Sequence, residues 1–432
     1  MLTAFGRAFK TPDLRRKLIF TLFVVAIFRL GSVIPSPGVD YKAIHEALSA
    51  VGSSSVYGLV NLFSGGALLQ LSIFALGIMP YITSSIIMQL LMVVIPRLEK
   101  LKNEGEAGNA KITQYTRYLT VALAVLQSTG IVALARSGNL FGAGGSQNIV
   151  VIPDTSLVRI ATIVITLTAG TAVIMWLGEL ITDRGIGNGM SLLIFTSIAA
   201  RLPAEGGRIL QAAGGYVFAL VCLLGLAIVV AVVFIEQAQR RIPVQYAKRM
   251  IGRRMYGGTS TYIPLKVNQA GVIPVIFASS LLYLPQLVAQ IWTSNQGFTT
   301  FVNRYVSRGD HPMYLLFFFG LIIFFAYFYT AITFNPTEVA DNMKKYGGFI
   351  PGIRPGRPTA EYLDFILNRI TLPGALFLAT ISVLPYIALG LTKGQQFPFG
   401  GTAVLIIVGV GLETVKQIES QLMMRNYEGF LR

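Results

Sequence analysis

Residues 47–96 read ALSAVGSSSVYGLVNLFSGGALLQLSIFALGIMPYITSSIIMQLLMVVIP, fifty positions without an Asp, Glu, Lys or Arg. A bilayer needs about 20 apolar residues per helical span, so the block is too long for one crossing. It is not uniform. Its first half carries Ser53-Ser54-Ser55, Gly58, Asn61 and Ser64-Gly65-Gly66, too polar to face lipid, whereas Ile73 to Ile95 can span. A short half-inserted helix over about residues 56–69, a turn and then a full span satisfies both halves. Irregular backbone at membrane depth is tolerated only inside protein or beside a watery cavity. The block therefore predicts a cavity.

Outward from it, the few charges cut the rest of the chain into similar neutral stretches. They run from Arg117 to Arg136, Arg159 to Glu179, Arg208 to Glu236, Lys266 to Arg304, Asp310 to Glu338, Arg369 to Lys393 and Lys393 to Glu413. The shorter Gly185 to Ala200 and the segment Leu18 to Ile34, interrupted by Arg29, bring the total to ten spans. Composition agrees. Hydrophobic residues are 53% and charged residues 12%, the latter about half the usual soluble share of roughly 25%. A soluble chain this apolar could not cover its surface, so lipid is the expected solvent. The basic N-terminal stretch leads into a span with no small-residue cleavage site after it, so no signal peptide is expected.

The net charge of +16 is lopsided. With ten spans both termini share a side, and 26 of the 35 Lys and Arg fall on that side against 8 opposite. The positive-inside rule then places both termini in the cytoplasm. Two cytoplasmic loops, about residues 238–269 and 335–372, mix turn residues, aromatics and alternating apolar positions such as Thr261-Tyr262-Ile263-Pro264-Leu265-Lys266-Val267. That pattern predicts projecting hairpins.

Chemistry-bearing arrangements are missing. The sequence has no phosphate-binding Gly-x-x-x-x-Gly-Lys loop and no His-Glu-x-x-His. His45 and His311 both fall in expected external loops, and Cys222 is the single cysteine. No metal, cofactor, disulfide framework or enzymatic activity is expected. Glu179, Glu236 and Glu413 lie near span ends, whereas coupled carriers place an ionisable group near the midplane. An inverted-repeat secondary transporter of small solutes is therefore the weaker alternative. An apolar constriction denies ions a replacement for their hydration shell and closes by dewetting. Aliphatic side chains also yield around a bulky object of any sequence, which suits a conduit for something large and variable.

Several runs carry a specific resemblance. Phe74-Ala75-Leu76-Gly77-Ile78-Met79-Pro80-Tyr81-Ile82 is one; Met175-Trp176-Leu177-Gly178-Glu179 with Arg184-Gly185-Ile186-Gly187-Asn188-Gly189 is another. Pro264-Leu265-Lys266-Val267-Asn268 with Ala270-Gly271-Val272-Ile273-Pro274 follows, then Ala340-Asp341-Asn342 with Pro351-Gly352-Ile353-Arg354-Pro355-Gly356. In order and at compatible spacing from about Leu14 onward, they resemble the SecY family, the central subunit of the Sec protein-conducting channel.

The resemblance implies an all-α polytopic membrane protein of ten transmembrane helices in two pseudo-symmetric inverted five-helix halves, residues 1–203 and 204–432. It implies a passive channel that translocates unfolded secretory proteins and releases membrane-protein helices sideways into the bacterial cytoplasmic membrane. The half-inserted helix becomes a plug that includes Tyr57, Asn61, Leu62, Phe63, Ser64, Gly65 and Gly66. The pore ring carries over to Ile78, Ile82, Ile194, Ile276 and Ile406, with Met190 at a further lining position where a branched residue is expected. A lateral gate between spans 2/3 and 7/8 would hold Thr83, Gln89, Gln127 and Ser280. Arg253, Arg254 and Arg354 become docking residues for the SecA motor and the ribosome. Further implied partners are SecE and SecG subunits, signal-bearing preproteins and anionic lipids.

Overall fold

The computed structural model describes residues 9, 11–40, 64–68, 70–136, 152, 156–246, 249–251, 254–256, 260–291, 296–306, 311–391 and 401–428. The first part of the chain forms α1 Pro12–Val33, α2 Met79–Val94, α3 Pro96–Asn103 and α4 Glu106–Arg136. α5 Leu157–Arg184, α6 Gly189–Ala199 and α7 Leu202–Gln237 follow. Strands β1 Gln239–Tyr246, β2 Arg249–Ile251, β3 Arg254–Tyr256 and β4 Ser260–Lys266 precede α8 Ile273–Ile291. α9 Gln296–Phe301 runs into a π-turn at Val302–Val306 and leads to α10 Pro312–Thr333. α11 Pro336–Lys345, β5 Gly348–Phe349, α12 Arg357–Leu391 and α13 Gly401–Glu428 complete the order.

Each of the ten expected spans overlaps one helix, namely α1, α2, α4, α5, α6, α7, α8, α10, α12 and α13, although α12 begins at Arg357, inside the loop expected over residues 335–372. Among the described residues, four stretches are long and apolar enough by themselves to cross a membrane: Leu157–Arg184, Gly214–Gln237, Pro312–Lys345 and Arg357–Leu384. A fifth is broken, with Met79–Val94 and Pro96–Lys102 meeting at 105°. Proline explains the break. Pro96 disfavours helical backbone at the residue before it, and Ile95 is extended at φ −102, ψ 109. Side-chain caps start other helices. The Asn188 side-chain oxygen accepts from the Met190 and Ser191 amides at 3.1 and 3.3 Å, and that of Asn335 accepts from Thr337 at 3.2 Å, satisfying first-turn N–H groups.

The helices pack as two groups that touch along two lines. α1 lies on α5 and α6, α2 on α4, and α4 on α5; α8 lies on α10, α10 on α12, and α12 on α13. The groups meet where α8 crosses α2 and α4, and again where α6 meets α13. A large apolar cluster sits between them and draws on both, from Ile82 and Ile174 on one side to Val275 and Leu405 on the other.

The loops after α7 and after α10 form one structure. β1 and β4 pair antiparallel from Gln239↔Lys266 to Gln245↔Ser260, as the alternation predicted. The second loop then adds β5 to the free edge of β1 through Gln245↔Phe349 and Tyr246↔Gly348, giving the order β4-β1-β5. Ile242, Val244, Leu265, Met343, Ile350 and Leu363 form a separate small core beneath it.

Candidate functional site

The five ring isoleucines come from four helices of both groups. Ile78 caps α2 and its carbonyl accepts the Ile82 amide at 3.1 Å, so the two lie one turn apart. α2 begins at Met79, six residues after the expected start at Ile73; the intervening residues are turns. Ile194 lies on α6, Ile276 on α8 and Ile406 on α13. Their exposures are 2, 7, 3, 9 and 0%, in the order Ile78, Ile82, Ile194, Ile276 and Ile406, and all five belong to the same buried cluster. Isoleucine side chains are stiff at χ1 and carry no hydrogen-bonding group, so the part of the cluster they contribute is apolar. Met190 is half-buried beside this cluster. Its thioether fills the space over Gly178 of α5, where any added Cβ would collide with Met190 Sδ. The flexible side chain is suited to such a gap. The signal for it was the glycine in Trp176-Leu177-Gly178-Glu179.

Of the plug candidates, Tyr57, Asn61, Leu62 and Phe63 lie outside the described residues. Ser64, Gly65 and Gly66 are described, as turns where the end of a short helix was expected. Gly65 and Gly66 have φ of +66 and +95, which a right-handed helix cannot accommodate. Ser64 is buried, and its hydroxyl accepts the Leu68 amide at 3.1 Å. The chain then pairs with the end of α1, as Ser36 N–H donates to Leu71 O at 2.9 Å and Ile73 N–H to Ile34 O at 3.0 Å. Arg29, left without a role by the sequence, donates from Nη1 to the Gly65 carbonyl at 3.2 Å.

The gate candidates divide into two kinds. Thr83 and Ser280 are buried and bond to their own helices, Thr83 Oγ1 to Met79 O at 2.9 Å and Ser280 Oγ to Ile276 O at 2.8 Å. Gln127 is 2% exposed and Gln89 half-buried, and among the described residues neither Gln127 Nε2 nor Gln89 Oε1 has a hydrogen-bond partner. Two further links tie this region together and were not anticipated. Ser84 Oγ donates to Thr116 O at 2.7 Å, joining α2 to α4, and Arg117 pairs with Glu179, joining α4 to α5. Opposite charges at neighbouring span ends were the available signal for the second.

Arg354 is exposed in the turn between β5 and α12, where Thr359 Oγ1 donates to its carbonyl at 2.8 Å. Arg254 opens β3, paired with Ile251, and Arg253 lies outside the described residues. Arg254 thus belongs to the separate two-stranded β2–β3 sheet, and Arg354 to the turn that follows β5 of the β4-β1-β5 sheet. His311 serves as a helix cap, its Nδ1 accepting the Met313 amide at 3.2 Å.

A family model for SecY matches residues 72–415. The chain is 67% identical to the protein translocase subunit SecY of Streptomyces galbus and 61% identical to that of Mycobacterium tuberculosis, each over the whole of both chains. Among solved structures it resembles one described as a protein conducting channel, with a TM-score of 0.62 at 18% identity over 94% of this chain and 91% of that one. A SecY structure concerned with the plug domain, the closed state and the membrane seal matches to the same degree. The yeast Ssh1 complex bound to the 80S ribosome gives 0.66 at 17% identity over 94% and 89%. With most of its length under the family model and full-length relatives above 60% identity, the chain belongs to the SecY family of protein translocase channel subunits.

Proposed function

We propose that polypeptide passes through this membrane channel at the point where Ile78, Ile82, Ile194, Ile276 and Ile406 converge. The observation that supports it is their shared burial in one apolar cluster drawn from α2, α6, α8 and α13. In the resting channel these side chains seal against one another and against ions. A threading chain parts them, because rotating aliphatic side chains breaks no hydrogen bond.

Sideways release follows the line where α8 crosses α2 and α4. A signal helix exposed there exchanges water for hydrocarbon. On the insertion scale each leucine favours lipid by about 0.3–0.6 kcal/mol, and a central Lys or Arg opposes it by about 2.5–3.5. Ten leucines thus supply about 3–6 kcal/mol, and one central charge can cancel most of that. The seam thereby sorts segments by composition.

The two halves, residues 1–203 and 204–432, act as the two jaws, with both termini in the cytoplasm and the channel in the bacterial cytoplasmic membrane. Driving force comes from outside the chain: a SecA-type ATPase or a translating ribosome bound to the β4-β1-β5 sheet and its flanking loops. Small SecE and SecG subunits complete the assembly, and the surplus of cytoplasmic Lys and Arg favours anionic lipid.

The direct test is site-specific crosslinking. Single cysteines at Ile82, Ile194, Ile276 and Ile406 should all crosslink to one stretch of an arrested preprotein, whereas cysteines at lipid-exposed Leu223 or Leu316 should not. Absence of crosslinks from the isoleucine positions during active export would overturn the reading.

A further inference from the structure

We propose that Arg29 is a latch that helps to hold the start of the Ser64–Leu68 turn closed, so that the resting seal weakens when its hydrogen bond from α1 is lost; this rests on the plug reading of the segment. A guanidinium inside an apolar span is costly and is kept where it has a partner and a task. Arg29 lies half-buried on α1 next to exposed Leu30 and Ile27, and among the described residues no carboxylate pairs with it. Its observed partner is a main-chain carbonyl, that of Gly65.

The surroundings show why that carbonyl is in reach. Gly65 is at φ +66, and a Cβ there would lie 3.0 Å from Arg29 Nη1 and 3.2 Å from Ser197 Cα on α6. Glycine therefore lets the backbone wedge between α1 and α6, which turns its oxygen toward the arginine. The segment is held in two different ways. Beyond it, Leu71 and Ile73 are bonded to α1 through main-chain groups in a short antiparallel bridge with Ser36 and Ile34. At Gly65 the hold from α1 is one side-chain donor, which releases by rotation about its own bonds without breaking backbone pairing. The turn can thus detach at Gly65 and stay tethered by buried Ala67 and Leu68 and by the main-chain bonds at Leu71.

A latch predicts that the seal weakens when the donor is lost, and that the loss is not compounded by disturbing the acceptor. The test uses the purified complete translocase in planar bilayers, with resting ion conductance scored per assembled channel, alongside export of a substrate with a defective signal in cells. Arg29→Gln should raise resting conductance several-fold and let the defective substrate through. Arg29→Lys, which keeps a charge and a donor, should restore much of the seal. Gly65→Ala should leak as well, and the double variant should leak no more than the worse single one. Removing residues 57–68 is the control. If the deletion leaks and Arg29→Gln does not, the latch is wrong and the plug stands. If the deletion itself leaves resting conductance unchanged, the plug reading fails and the latch with it. Reduced amounts of Arg29→Gln protein with normal conductance per channel would mark a purely structural arginine and overturn the proposal.

Discussion

Arg117 and Glu179 form a two-pronged ion pair across α4 and α5, with Nε to Oε1 at 2.9 Å and Nη2 to Oε2 at 2.8 Å. α4 also borders α8 at the seam between the two helix groups, while α5 carries α1, α4 and α6 on the other side. The pair therefore fastens a helix next to the proposed gate to the body of the N-terminal group. The arginine side chain is 49% exposed and that of the glutamate 20%, so the contribution is that of a surface pair, about 0.5–1 kcal/mol. Glu179→Gln should lower the thermal stability of the purified channel slightly, and exchanging the charges (Arg117→Glu with Glu179→Arg) should recover it. A drop that the exchange leaves unchanged would mean that the residues act separately.

The ring isoleucines are buried, so their truncation has two separable consequences. Ile82→Gly or Ile276→Gly should destabilise the protein by about 2–5 kcal/mol, the range for large aliphatic side chains cut to almost nothing in a core. Either should also let ions leak through the resting channel while export continues. Ile276→Val, costing about 0.5–1.5 kcal/mol, should keep the seal. Conductance in planar bilayers decides it; a tight seal in both glycine variants would remove these residues from the constriction.

Gln127 buries an amide nitrogen with no partner at a helix that touches α8. An unsatisfied buried donor costs about 1–3 kcal/mol, a penalty borne by the closed arrangement and relieved if the seam opens. Gln127→Leu should therefore raise thermal stability and impair export of substrates with weakly apolar signals. Unchanged export with raised stability would place the residue away from the gate.

Arg354 is exposed in a turn, and among the described residues its hydrogen bonding is through its main-chain carbonyl, which accepts from Thr359 Oγ1. Arg354→Glu should change stability by less than about 0.5 kcal/mol, as for a surface position away from special features, yet abolish motor-driven export. Assembly is checked by co-purification and export by protease protection of the substrate; normal export would take Arg354 out of the docking surface.

The apolar helices were readable in advance because hydropathy is a local property of the chain. The β1–β4 hairpin was readable for the same reason, since alternation over residues 261–267 needs no distant partner. The pairing of β5 with β1 was not: Phe349 meets Gln245 across more than a hundred residues, and two positions of strand carry no pattern. The division of the gate candidates, with Thr83 and Ser280 satisfied by their own helices and Gln89 and Gln127 left with unpaired atoms, depends on which neighbour each faces. The charged residue at 29 stood out as costly in the sequence, but its acceptor is a glycine carbonyl, and every residue has a carbonyl.

By itself, then, the sequence determined the membrane-type apolar helices and, through its motifs, the family, because each is written in composition or in short contiguous runs. Tertiary structure alone decided that isoleucines from four helices share one cluster, that the loops after α7 and after α10 join in the β4-β1-β5 sheet, and that Arg29 reaches Gly65. Those are agreements between groups far apart along the chain, and only packing specifies which of many equally apolar or polar candidates end up in contact.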